Sequence, residues 1–180
     1  MNRNTEVTLD DVHAGIVAAI TAEFEGLHVE AYRPDRRNLP VPACLVEMTE
    51  MQAAESHDPG TDQQAMMCRF EALLVIGFRQ PGKNAKLEVR RLAASLSAFA
   101  RLQRWGCPIG PADVIGAYPS DFEPELDQYE VWRVEWEQVI HLGKSAWNGY
   151  EGTDQPGVVL VSQAPLIGIP HEGEYQEVTR

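Results

Sequence analysis

The residues with chemical potential in this 180-residue chain are three cysteines, five histidines and one dense run of carboxylates. Cys44, Cys68 and Cys107 are an odd number at wide spacing, with no CxxC pair. Cys44 and Cys68 sit inside apolar, strand-like runs, where an unpaired cysteine acts as a small buried hydrophobe, so neither redox nor metal chemistry is expected of them. His13, His28, His57, His141 and His171 never approach one another at the spacing of a helical metal pair. In "HEGE" at His171, Tyr175 stands where a zinc-protease helix needs its second histidine. "PGKNAK" shares only a Gly-Lys with a phosphate loop, and "DPGTD" offers two carboxylates without the rest of a calcium loop, so it reads as a tight turn. No GxSxG is present. What remains is Asp121, Glu123, Glu125, Asp127 and Glu130, which have the residue types for a general acid and base. Nothing near them in sequence would desolvate or position those groups. The expected state is a solvated acidic loop, and no catalytic residue, cofactor or metal ligand is assigned.

The elements that would position any site alternate clearly. Thr8 caps a first helix with Asp10 and Asp11 in its opening turn, and Leu9, Val12, Ile16, Val17, Ile20 and Phe24 form its apolar stripe. "LHVEAY" is a short strand, Pro34 to Pro42 a loop with Arg36 and Arg37, and "ACLVEMTEM" a second strand. A polar turn centred on Asp58-Pro59-Gly60 leads to a third, "AMMCRFEALLVIGF". Asn84 caps a second helix, for which the spacing of Leu87, Arg91, Leu92, Leu96, Phe99 and Leu102 predicts one inward face. "ADVIGAY" is the fourth strand. The fifth, "YEVWRVEWEQVIHLG", has period two over its whole run, with Trp132, Val134, Trp136 and Ile140 on the face toward the helices and Arg133, Glu135 and Glu137 on the other. The order α-β-β-β-α-β-β predicts an α+β domain over residues 1–143: an antiparallel or mixed sheet of about five strands with two helices packed on one face.

Composition bounds the function. Residues 144–180 are rich in turn formers and form an extended C-terminal arm, which can be ordered only by docking, on its own body or on another chain. Trp147, Tyr150, Val158, Leu160 and Val161 are its expected anchors, and "VVLVS" is suited to add a strand to a sheet edge. The formal net charge is −12, from 27 acidic and 15 basic residues, which argues against a phosphate-gripping surface. It does not argue against a protein that lets DNA pass unheld. No apolar run approaches the roughly 20 residues of a membrane helix. "MNRNTEVTLDD" lacks the apolar core of a signal peptide, so a cytoplasmic chain is expected.

The run "WGCPIGPADVIGAYPSDFEPELDQYEVWRVEWEQVIHLG" resembles bacteriophage tail terminator proteins. The likeness lies in Trp105-Gly106 with Pro108, in Gly110-Pro111, and in the acidic "DFEPELD" turn leading into "VWRVEWEQ". It is closest to terminator-like proteins of tail gene clusters in Mu-like and related prophages, and extends upstream through "LPVPACLVEM" and the "DPGT" hairpin. The resemblance implies a homo-oligomeric ring, usually a hexamer, in the neck of a virion assembled in a bacterial cytoplasm. Such a ring caps the tail tube built of the major tube protein, meets the head's connector or stopper protein, and lets DNA through its lumen. It implies contact surfaces rather than catalytic residues.

Two sets of contacts are expected on that basis. Arg133, Glu135 and Glu137 would give polar specificity at the seam between subunits, because a strand this long exceeds what two helices cover. The lumen should be acidic or neutral, with Glu55, Asp58, Asp62, Asp121, Glu123, Glu125 and Asp127 as its lining. Three other readings differ in consequence. They are another neck or tail-completion protein, a small soluble enzyme using Asp121 to Glu130, and an acidic regulator of the antitoxin kind.

Overall fold

Helix α1 spans Leu9–Glu23 and begins at a reciprocal cap. Thr8 Oγ1 accepts from the Asp11 N–H at 3.1 Å, and the Asp11 carboxylate accepts from the Thr8 N–H at 3.0 Å. Its hydrogen bonds from the Thr8 hydroxyl and then the Thr8 N–H hold the Asp11 carboxyl below its ordinary pKa. Val12, Ile16 and Ile20 are fully buried beneath it. Helix α2 spans Ala85–Ala100, with the Asn84 side chain accepting from the Leu87 N–H. Its inward face is Ala85, Val89, Ala93, Leu96 and Ala100. The expected face is therefore rotated: Leu87 and Leu102 stand 45% and 59% exposed, while alanines let the helix lie close to the sheet.

These features belong to a computed structural model that describes residues 6–32, 39–57, 60–78, 84–120 and 129–146, with short pieces at 160–161, 170, 173 and 176–177. The chain divides into two units, Met1–Asn148 and Gly149–Arg180. In the first unit, β1 (His28–Ala31), β2 (Ala43–Ala53), β3 (Gln64–Gly77), β4 (Asp113–Pro119) and β5 (Tyr129–Leu142) form one sheet in the order β1-β2-β3-β5-β4. β1 runs parallel to β2 and every other pair is antiparallel, so the sheet is mixed. The α+β expectation holds, with both helices packed into a single core against the sheet. In the second unit, β6 (Leu160–Val161) pairs antiparallel with β7 (Gln176–Glu177) as a separate two-stranded sheet. Of "VVLVS" only Leu160 and Val161 are among the described residues, and they pair with Glu177 and Gln176.

The helix side of the sheet carries Phe70, Leu74, Val134, Trp136 and Ile140, all with no exposed surface. Burial of side chains this size contributes roughly 1.5–3 kcal/mol each. Phe70 stacks on Trp136 with centroids 5.7 Å apart, and Trp105 tilts against the same indole at 5.6 Å. The length of β5 is taken up inside the chain. Its 14 residues pair one for one with the 14 of β3, from Tyr129 opposite Gly77 to Leu142 opposite Gln64.

Past the reach of the helices, the distal half of β5 is covered by the loop after α2, and Gln138 fixes that loop. Gln138 is 1% exposed, yet each end of its amide is used. Its Oε1 accepts from Trp105 Nε1 at 2.8 Å, and its Nε2 donates to the carbonyls of Gly110 at 2.6 Å and Gln103 at 3.0 Å. A buried polar group is tolerated when satisfied in this way. Beyond β5, the Ser145 N–H donates to Glu6 Oε1 and the Ala146 N–H to the Thr61 carbonyl, closing the C-terminal end of the first unit.

Candidate interaction surface

The second face of the sheet, away from the helices, is where the ionisable side chains gather. Near the β1 end of the strands it is apolar: Ala43, Leu45, Leu73, Val75 and Val131 are buried there together with Leu39, and Tyr129 packs against them. Further along, pairing register sets the side chains in rows. Glu47 lies opposite Glu71, and Glu71 opposite Glu135, so three carboxylates cross β2, β3 and β5 in one line. The next row reads Glu50, Arg69, Glu137, Asp113 across β2, β3, β5 and β4. On the other side, Leu45, Leu73, Arg133 and Tyr118 form a row that brings a second arginine alongside.

Like charges directly opposite one another destabilise a sheet, and here the two arginines flank the glutamates. Arg133 Nε lies 2.8 Å from Glu135 Oε1 and its Nη1 3.9 Å from Glu71 Oε2. The Nε–H is not aligned for a hydrogen bond, so the contact with Glu135 is coulombic. The same guanidinium rests 5.8 Å from the Tyr118 ring centroid. Arg69 is held more tightly. Its Nη2 donates to Glu137 Oε1 at 2.6 Å and its Nε at 3.2 Å, with Glu50 3.7 Å away. The hydrogen bond to Glu137 is the main influence pushing the Arg69 pKa up. Side-chain exposure falls from 44% at Glu50 to 14% at Glu135, so the centre of the network is the drier part.

Beside Glu137 the face opens into a groove of about 420 Å³ lined by His57, Met67, Pro111, Asp113, Glu137 and His141 among others. His141 Nε2 lies 3.0 Å from the His57 carbonyl and Glu137 is engaged by Arg69. Among the described residues no group of three His, Cys, Asp or Glu side chains could hold a metal ion. The thiols stand apart from this face. Cys44 and Cys68 are buried in the core, and burial pushes their pKa values to about 12 and about 11. What the arrangement offers is a fixed pattern of opposite charges, able to select the register of a polar partner.

Of the residues singled out in the sequence, Arg133, Glu135 and Glu137 lie together on this face, already paired within their own chain. Glu130 is elsewhere, 3.9 Å from Lys86 Nζ at the start of α2. Glu55 opens a single 3-10 turn, Glu55–His57, and Asp62 adopts a left-handed conformation with φ 65° just before β3. Asp58, Asp121, Glu123, Glu125 and Asp127 lie outside the described residues, as do Trp147, Tyr150 and Val158; Leu160 and Val161 form β6. Sequence reasoning missed Glu47, Glu50, Arg69, Glu71 and Asp113. Arg69 and Glu71 show period two in "CRFEA", but Glu47 and Glu50 are three apart and share a face only through the irregularity between Met48 and Glu50. No helix of the described residues is long and apolar enough to cross a membrane. No protein-family model and no curated protein matches the chain.

Proposed function

We propose that this chain is a bacteriophage tail terminator: a homo-oligomeric ring, taken as a hexamer, that caps the tail tube and joins it to the head connector. The observation that carries the reading is the disposition of the sheet. Both helices pack into one core, so the other sheet face is left with an ordered, alternating charge pattern, and β1 and β4 are left as edges. That is the α+β architecture the terminator resemblance implies, and its chemistry suits contact between proteins. The acidic balance of the whole chain supports a lumen that passes DNA without retaining it. Arg133, Glu135 and Glu137 belong to the contact surface in this reading.

The test is deletion of the gene in the phage or prophage that encodes it, followed by electron microscopy of the lysate. A terminator deletion gives filled heads without tails and tubes of uncontrolled length, both cured by supplying the protein. Tubes of normal length that fail to join heads would place the protein at another neck position. Normal joined particles would end the proposal.

A further inference from the structure

The helix side of the sheet is unevenly charged: α1 holds Asp10, Asp11 and Glu23 and no Lys or Arg, and the cations lie on and behind α2. From Asn84 to Ala112, through α2 and the loop behind it, there are five cations, Lys86, Arg90, Arg91, Arg101 and Arg104, against one anion, Glu88. The three rows on the opposite sheet face hold six carboxylates against two arginines. Among the described residues, α2 and the loop behind it therefore carry an excess of cations, and the opposite sheet face an excess of carboxylates.

The outer side of α2 is shaped for contact as well as charged for it. Leu87 and Leu102, 45% and 59% exposed, stand at its two ends. Between them the exposed positions include small Ala94, Ser95 and Ala98; beside them Arg101 is exposed, and so is Arg91, whose Nη1 also donates to Glu88 Oε1 at 2.9 Å. A helix with small residues amid leucines and arginines lets another surface approach its backbone closely. The spacing also fits. Arg91 and Arg101 are roughly 15 Å apart along a helix rising about 1.5 Å per residue. The row from Glu50 on β2 to Asp113 on β4 covers three strand spacings, roughly 14 Å. At the β4 end of that face, Ile115 and Tyr118 are about 40% exposed and offer apolar surface to a leucine.

We infer that the outer face of α2 in one copy docks on the outward sheet face of the next copy, arginines over the carboxylate rows. Plug and socket lie on opposite sides of one sheet, so the contact is heterologous and runs head to tail. A heterologous contact repeats until it closes, which a two-fold dimer contact does not do. The inference deepens the ring reading and rests on it by naming the seam. It also assigns the outward face to a neighbouring subunit rather than to the tail tube.

The experiment is a charge swap on the full chain, read by sedimentation velocity over a wide concentration range at low ionic strength. The wild type assembles beyond a monomer, and added salt weakens the assembly. Arg91→Glu with Arg101→Glu raises the concentration needed for assembly at least about a hundredfold, since like charges brought together cost several kcal/mol. Glu50→Lys with Asp113→Lys does the same. Mixing the two variants restores the wild-type mass, because each then presents the charge the other lacks. Unchanged circular dichroism and melting show that each variant is folded. A wild type that stays monomeric throughout overturns the inference, as does a helix variant with undiminished assembly. So does rescue by Asp10→Lys with Asp11→Lys on α1 in place of the sheet variant. Gene deletion reports separately: terminator-defective lysates with no effect of the swap sink the seam alone, and a working swap with normal lysates sinks the terminator reading alone.

Discussion

Replacing Gln138 with leucine keeps the volume and removes the amide, which isolates the pin between β5 and the loop behind α2. Two groups lose their partner, the indole N–H of Trp105, itself 4% exposed, and the carbonyl of Gly110, while the Gln103 carbonyl keeps its bond from the Ala112 N–H at 2.8 Å. A stranded buried polar group costs about 1–3 kcal/mol. The indole takes the upper part of that range, and the part-buried Gly110 carbonyl the lower part. Added apolar burial offsets about 1 kcal/mol. The expected net loss is about 3 kcal/mol, a large part of the roughly 5–15 kcal/mol that holds a domain together. Urea unfolding followed by tryptophan fluorescence measures it, and the melting temperature should drop by roughly 10 °C. Trp105→Phe strands only the Gln138 oxygen and should cost less. The double variant should cost less than the two single losses combined, by about 1 kcal/mol. A Gln138→Leu protein within about 0.5 kcal/mol of wild type would refute the reasoning, since the amide would then not be what fixes the loop.

Gly15→Ala should destabilise although alanine is the better helix former by about 1 kcal/mol, because its Cβ would sit 2.4 Å from the Trp105 carbonyl oxygen. Thermal melting decides the sign, and a gain would show that the loop yields. The buried thiols set an alkaline limit. Folded pKa values of about 12 and about 11 for Cys44 and Cys68 exceed the ordinary 9.0, so their contribution is complete below pH 9 and is lost as pH rises through the folded values. Urea midpoints from pH 8 to 11 should fall less steeply in a Cys44→Ala, Cys68→Ala protein than in wild type; parallel curves would contradict the burial argument. Arg69→Met should cost less than about 1 kcal/mol in low salt and less again in high salt, because Arg69 and Glu137 are 38% and 34% exposed. A loss that ignored salt would mean Arg69 works by packing instead.

Legibility differed by element, for physical reasons. Helix α1 announced itself because its cap, its first-turn acids and its apolar stripe all agree on one boundary and one face. Helix α2 has two overlapping stripes, and hydrophobicity alone selects the leucines. Close approach to the sheet instead favours Ala85, Ala93 and Ala100 and leaves Leu87 and Leu102 outside. The alternation of β5 placed Trp136 inward and Arg133, Glu135 and Glu137 outward correctly. It could not show that β3 matches the whole strand, nor that Gln138 on the inward side would find its partners in a loop. The charged rows are pairing facts. Glu47, Glu71 and Glu135 become neighbours only when three strands distant in sequence fall into register, and no spacing within one strand reveals that.

The central claim is a place in a particle, and position is what should be measured. The protein carrying a short surface tag, at native expression and in particles that remain infectious, can be located by gold-labelled antibody on purified virions and on isolated tails. The account predicts label at one site, the head-proximal end of the tail, in both preparations. Label along the tube, at the distal tip, on the head shell, or absent from purified particles would contradict it.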